Sequence, residues 1–66
     1  MSRAKQFEYV CKNQFEQIDH LKWCRRNLGS LGQSWNFFAA DAGKKLIIEI
    51  YTHNSKGLLA YTLTWG

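Results

Sequence analysis

Gly29-Ser30-Leu31-Gly32-Gln33-Ser34 is the stretch on which the reading of this chain turns, because hydrophobic periodicity differs on its two sides. On the amino-terminal side, apolar residues recur at helical spacing. Placed at 100° intervals, Phe7, Val10, Cys11, Phe15, Ile18, Leu21, Cys24 and Leu28 fall on one half of the wheel, interrupted by Gln14, Lys22 and Arg25. This predicts one long helix over about residues 5–28. Gly29 suits the position just past its end, and Arg25 and Arg26 suit the negative end of its dipole. Ser2 is the candidate N-cap.

On the carboxyl-terminal side the pattern changes to alternation. It predicts strands over about 35–40, 45–53 and 58–65, with turns at Asp41-Ala42-Gly43-Lys44 and Asn54-Ser55-Lys56-Gly57. A four-residue loop after His53 would pair Leu46 with Trp65, Ile48 with Leu63, Ile50 with Tyr61 and Thr52 with Leu59, a nearly all-apolar face. A tight turn at Ala42-Gly43 aligns Trp35 with Ile50 and Phe37 with Ile48, and leaves Phe38 on the opposite face. The expected architecture is α+β: one long N-terminal helix packed on a three-stranded antiparallel β-meander (αβββ), a single domain over 1–66.

Size and composition narrow the function. Sixty-six residues, 45% hydrophobic and 21% charged, describe one small folded domain and not a disordered tail. A core this small is thin, so ten aromatic residues are a heavy load, and rings left at the surface point to a partner or a second subunit. No apolar run approaches the roughly 20 residues of a membrane helix, and no apolar h-region follows the basic start Met1-Ser2-Arg3-Ala4-Lys5. A cytoplasmic product is expected. The net charge of +4 excludes an acidic mimic of DNA, and its spread along the chain favours nucleic acid only weakly. Cys11 and Cys24, placed on one helix about 20 Å apart by its rise, read as reduced thiols.

Candidate sites follow from this layout. A single helix covers one side of the sheet, so the far side, with Phe38, Ile47, Tyr51 and Leu58, is expected to meet another copy of the chain or a partner. On the helix, Tyr9, Glu16 and Trp23 are spaced by seven and lie opposite the core stripe, beside Lys12, Asp19, His20 and Arg26. Tyr9, Trp23, Arg26, Tyr51 and His53 are therefore the partner-binding candidates, being the residue types that anchor interfaces. Lys22, Arg25, Lys44 and Lys45 are the candidate phosphate contacts. His20 and Cys24 stand four apart and could form half of a metal site, but two more ligands are missing, so no metal or cofactor is expected. Glu16 and His20 have the spacing of an acid–base pair. No nucleophile elbow, phosphate loop or carboxylate pair accompanies them, and catalysis is not expected.

The closing segment Ala60-Tyr61-Thr62-Leu63-Thr64-Trp65, read as a strand of the form aromatic-x-Leu-x-Trp, together with the helix, the glycine break and Trp35-x-Phe37, is similar in layout to small accessory proteins of tailed bacteriophages. That resemblance implies a non-catalytic anti-defence or host-takeover protein that inhibits a bacterial host or defence protein by binding, in the bacterial cytoplasm; the uncovered sheet face and the surface rings add the expectation of a homodimer or higher oligomer. The alternative reading is a basic homo-oligomer that sequesters a nucleotide signal or contacts nucleic acid.

Overall fold

In the computed structural model, which describes residues 3–66, the central element is the strand Lys45–Tyr51. Its alternation is strict: Leu46, Ile48 and Ile50 are buried, while Ile47, Glu49 and Tyr51 are half-buried on the other face. On one side it pairs antiparallel with Trp35–Ala40 in the register read from the sequence, Trp35 opposite Ile50 and Phe37 opposite Ile48. The connecting turn holds Asp41 and Ala42 in the left-handed region, at φ 55° and 57°, before Gly43 at 85°.

On its other side the central strand pairs with a segment predicted to be helical. Ala4–Val10 is a strand, with Phe7 opposite Ile48 and Tyr9 opposite Leu46. The element order is thus β1 (Ala4–Val10), α1 (Gln14–Asn27), β2 (Trp35–Ala40), β3 (Lys45–Tyr51) and α2 (Ser55–Thr64), and the sheet runs β1-β3-β2. β1 and β2 are both antiparallel to β3, so β1-α1-β2 is a split β-α-β unit with β3 inserted between its strands.

The αβββ expectation is therefore corrected at both ends. The long helix over 5–28 is a strand followed by a shorter helix, and the strand over 58–65 is a helix. β3 ends at Tyr51, two residues before the predicted limit of 53. Residues predicted to face β3 from the end of the chain (Trp65, Leu63, Tyr61, Leu59) are replaced by Tyr9, Phe7, Lys5 and Arg3. The Thr52 amide donates to the Arg3 carbonyl at 2.9 Å.

Local chemistry explains both changes. In Lys5-Gln6-Phe7-Glu8-Tyr9, rings alternate with polar residues at the strand period. The helix starts later because Asn13 caps it: its Oδ1 accepts from the Glu16 amide at 2.9 Å, and Glu16 Oε1 accepts from the Lys12 amide at 3.3 Å. Ser2, the predicted cap, lies outside the described residues. The predicted end holds, with Leu28 as C-cap, Gly29 following at φ 95°, and Arg25 and Arg26 in the last turn. α2 is capped by Asn54, whose Oδ1 accepts from the Gly57 amide at 3.2 Å, while its Nδ2 donates to the Leu28 carbonyl at 2.7 Å. One side chain thereby starts α2 and ties it to the end of α1.

Both helices lie on the face of the sheet that carries Leu46, Ile48 and Ile50. Cys24 of α1 and its C-cap Leu28, Tyr61 of α2, Trp35 and Cys11 complete the core. The helix is rotated relative to the predicted stripe. Phe15 and Ile18 point to solvent, and His20 turns inward with Cys24.

Candidate functional site

Two regions stand out, a closed aromatic cluster and an open sheet face. The closed cluster surrounds His20, which has no exposed surface. Tyr9 stacks on its ring at 3.9 Å between centroids, Trp65 lies at 4.3 Å, and Tyr61 meets it edge-on. Nε2 of His20 and the Tyr61 hydroxyl share a 2.9 Å hydrogen bond, while Nδ1 has no hydrogen-bond partner among the described residues. Burial pushes the His20 pKa down to about 4 and that of Cys24 up to about 12, and raises Tyr61 above the ordinary phenol range. At neutral pH all three groups are uncharged. A protonated, enclosed thiol is neither a nucleophile nor a ready metal ligand.

This cluster absorbs two of the predicted partner-binding residues. Tyr9 lies on β1 and packs on His20 and Trp65. Trp23 is half-buried and meets Tyr61 and Trp65 edge-on. The helical face that was to present Tyr9, Glu16 and Trp23 together does not exist, since Tyr9 is not on the helix. Of the three, Glu16 is spent on capping α1, and the structure gives it no hydrogen bond to His20. Cys11 and Cys24 are both free and buried, although Cys11 follows β1 and is not on α1. Among the described residues, no three His, Cys, Asp or Glu side chains come together as a metal site.

The open region is the far face of the sheet, which neither helix covers. By strand alternation and register it carries Gln6, Glu8 and Val10 from β1, Asn36, Phe38 and Ala40 from β2, and Lys45, Ile47, Glu49 and Tyr51 from β3. Phe38 is 48% exposed and Val10 66%. Ile47 lies between Glu8 and Phe38 in the ladder, and Tyr51 stacks near His53, with 5.8 Å between rings. Polar groups frame the apolar ones: Gln6 donates to Glu49 at 3.0 Å, and Lys45 approaches Glu8 at 3.9 Å. Phe38, Ile47 and Tyr51 were read onto this face from the sequence. Leu58 was too, but it belongs to α2 and packs against the core. Val10 was assigned to a helix core and instead joins the open face; the alternation of Ala4–Val10 was the signal that could have placed it.

The basic candidates do not converge on that face. Lys22 and Arg25 line a shallow groove on α1 with Ile18 and Leu21. Lys44 sits in a polar hollow with Lys12, Asn13 and Gly43. Among the described residues Lys45 is the one cation of the open face, and it leans on Glu8. Arg26 is exposed on the last turn of α1, and His53 is exposed in the turn after β3. No helix is long and apolar enough to cross a membrane among the described residues. Comparison with protein-family models, curated proteins and solved structures finds no match to this chain.

Proposed function

We propose that this chain is a non-catalytic binding protein that docks the open face of its sheet on a protein partner. The observation that carries this reading is the combination of apolar side chains on that face, exposed Val10 and Phe38 with half-buried Ile47 and Tyr51, and its charge. Two carboxylates, Glu8 and Glu49, stand against one cation, Lys45. The polar row Gln6–Glu49–Asn36 crosses the sheet between Ile47 and Tyr51, and apolar side chains set among such polar groups are the composition of a non-obligate protein interface. A face with net charge −1 repels phosphate, which weighs against the nucleotide or nucleic-acid alternative at this surface. The resemblance to phage accessory proteins supplies the finer reading, inhibition of a bacterial host or defence protein in the bacterial cytoplasm.

The test is affinity capture from bacterial lysate with wild type and Phe38→Asp, followed by mass spectrometry. A bacterial protein retained by the wild type and lost by the variant supports the reading. Equal retention by both, or retention only of salt-sensitive nucleic acid, refutes it.

A further inference from the structure

We propose that two copies of this chain join edge to edge through β1, antiparallel about Phe7, into one six-stranded sheet. This proposal does not rest on the partner-binding reading above, because it uses the backbone edge of the sheet and the outer side of α2, with Gln6, Glu8 and Val10 of β1 common to both surfaces.

The backbone of β1 sets the terms. Arg3 O accepts from the Thr52 amide and the Cys11 amide donates to Lys44 O, so the odd-numbered residues of β1 bond to β3. In an antiparallel ladder the alternate residues then point their amides and carbonyls the other way. Ala4, Gln6, Glu8 and Val10 present four donors and four acceptors along a free edge. Neither proline nor a bulge interrupts it, and its charged residues are Lys5 and Glu8. The opposite edge of the sheet is partly guarded, since Leu31 bridges to Trp35 and the Gly32 amide donates to the Trp35 carbonyl at 2.7 Å.

Self-pairing is constrained by parity. Outward groups of one copy must meet outward groups of the other, so even-numbered residues must face even-numbered ones. That places both helix layers on the same side of a continuous sheet. Only the register centred on Phe7 uses all four outward residues, pairing Ala4 with Val10 of the partner subunit and Gln6 with Glu8 of the partner subunit. No like charges oppose each other in it. A shift toward the carboxyl end would set Glu8 against its own copy, and a shift the other way would carry Val10 past the Ala4 end of the partner's β1.

The helix above the edge supplies a second, independent observation. An apolar groove of about 350 Å³ runs beside β1, lined by Lys5, Leu58, Leu59 and Thr62. Leu59 and Leu63, one turn apart on α2, are 62% and 77% exposed. The two-fold axis that pairs β1 with its copy also brings α2 beside its copy, so these leucines are covered by the same association that satisfies the edge.

The experiment is sedimentation velocity over a concentration series, with amide hydrogen exchange on the same samples. Wild type is expected at twice the 7.7 kDa chain mass, with the Gln6, Glu8 and Val10 amides protected as the dimer forms. Gln6→Pro, which removes an outward amide and the exposed side-chain bond to Glu49 but no backbone bond to β3, and Leu63→Glu, at a site with no role in the core, are each expected to weaken association about tenfold or more. A wild type that stays monomeric overturns the proposal. So does a dimer that survives both variants or leaves the Val10 amide unprotected. A monomer whose β1 amides gain protection only on adding a foreign protein would assign the edge to that partner's strand, and also overturns it.

Discussion

Acidification should destabilise this protein through one side chain, His20. Its imidazole is enclosed by Tyr9, Tyr61 and Trp65, and among the described residues only Nε2 has a hydrogen-bond partner. The imidazolium carries an N–H at both ring nitrogens, and the one at Nδ1 has no acceptor among the described residues, in a site with no exposed surface. Burial therefore pushes the folded-state pKa from 6.5 down to about 4. Above the unfolded value neither state carries the proton, and the full stability is present. As pH falls from about 6.5 toward 4, the unfolded chain takes up a proton that the folded chain refuses, and stability declines by up to ~3 kcal/mol. Below the folded pKa this group contributes no further decline. For a chain of this length, total stability is on the order of 3–10 kcal/mol, so the loss is large. Urea unfolding followed by tryptophan fluorescence, at neutral pH and near the folded pKa, gives the measured difference. His20→Gln removes the proton-binding group, so the wild-type curve should fall more steeply than the variant curve over that window. Parallel curves for the two proteins would refute the enclosure of His20.

Other substitutions probe the remaining parts of the structure. Gly57→Ala should destabilise by about 1 kcal/mol in thermal melts, because a Cβ there would stand 2.8 Å from Cγ of Asn54 and displace the cap of α2, although alanine is the better helix former. Ala42→Gly should raise the melting point, by relieving about 1 kcal/mol of left-handed strain at φ 57°. Trp23→Ala should cost about 2 kcal/mol of folding stability through lost packing on Tyr61 and Trp65, whereas Phe38→Asp should stay within about 0.5 kcal/mol of wild type.

The middle of the chain was legible in the sequence because its signals are local. β2 and β3, their register and the stop at Gly29 follow from alternation, a tight turn and a glycine after the last helical residue. The ends were not, because each supports two periods. Phe7, Val10 and Cys11 fit a helical stripe, while Phe7 and Tyr9 fit a strand; the Asn13-x-x-Glu16 box, which starts the helix late, was the deciding local signal. Leu58 to Thr64 alternates like a strand, yet the place beside β3 is occupied by β1, and Tyr61 instead drops onto the core from a helix. The far face was foreseen through Phe38, Ile47 and Tyr51 because it depends only on β2 and β3. The fate of Tyr9, His20 and Trp23 was hidden. Their surroundings are assembled from β1, α1 and the end of α2, so nothing in the sequence near His20 marks it as an inward-facing residue.

The bareness of the far face in the free protein is measured most directly by NMR relaxation from a soluble paramagnetic probe, at concentrations where the chain is a monomer. Phe38 and Val10 should relax strongly and Ile47 more than its neighbours in sequence, while Leu46, Ile48 and Ile50 remain shielded. Equal shielding of Ile47 and Ile48, with Phe38 protected, would mean that the chain covers both faces of its own sheet and has no open surface to offer a partner.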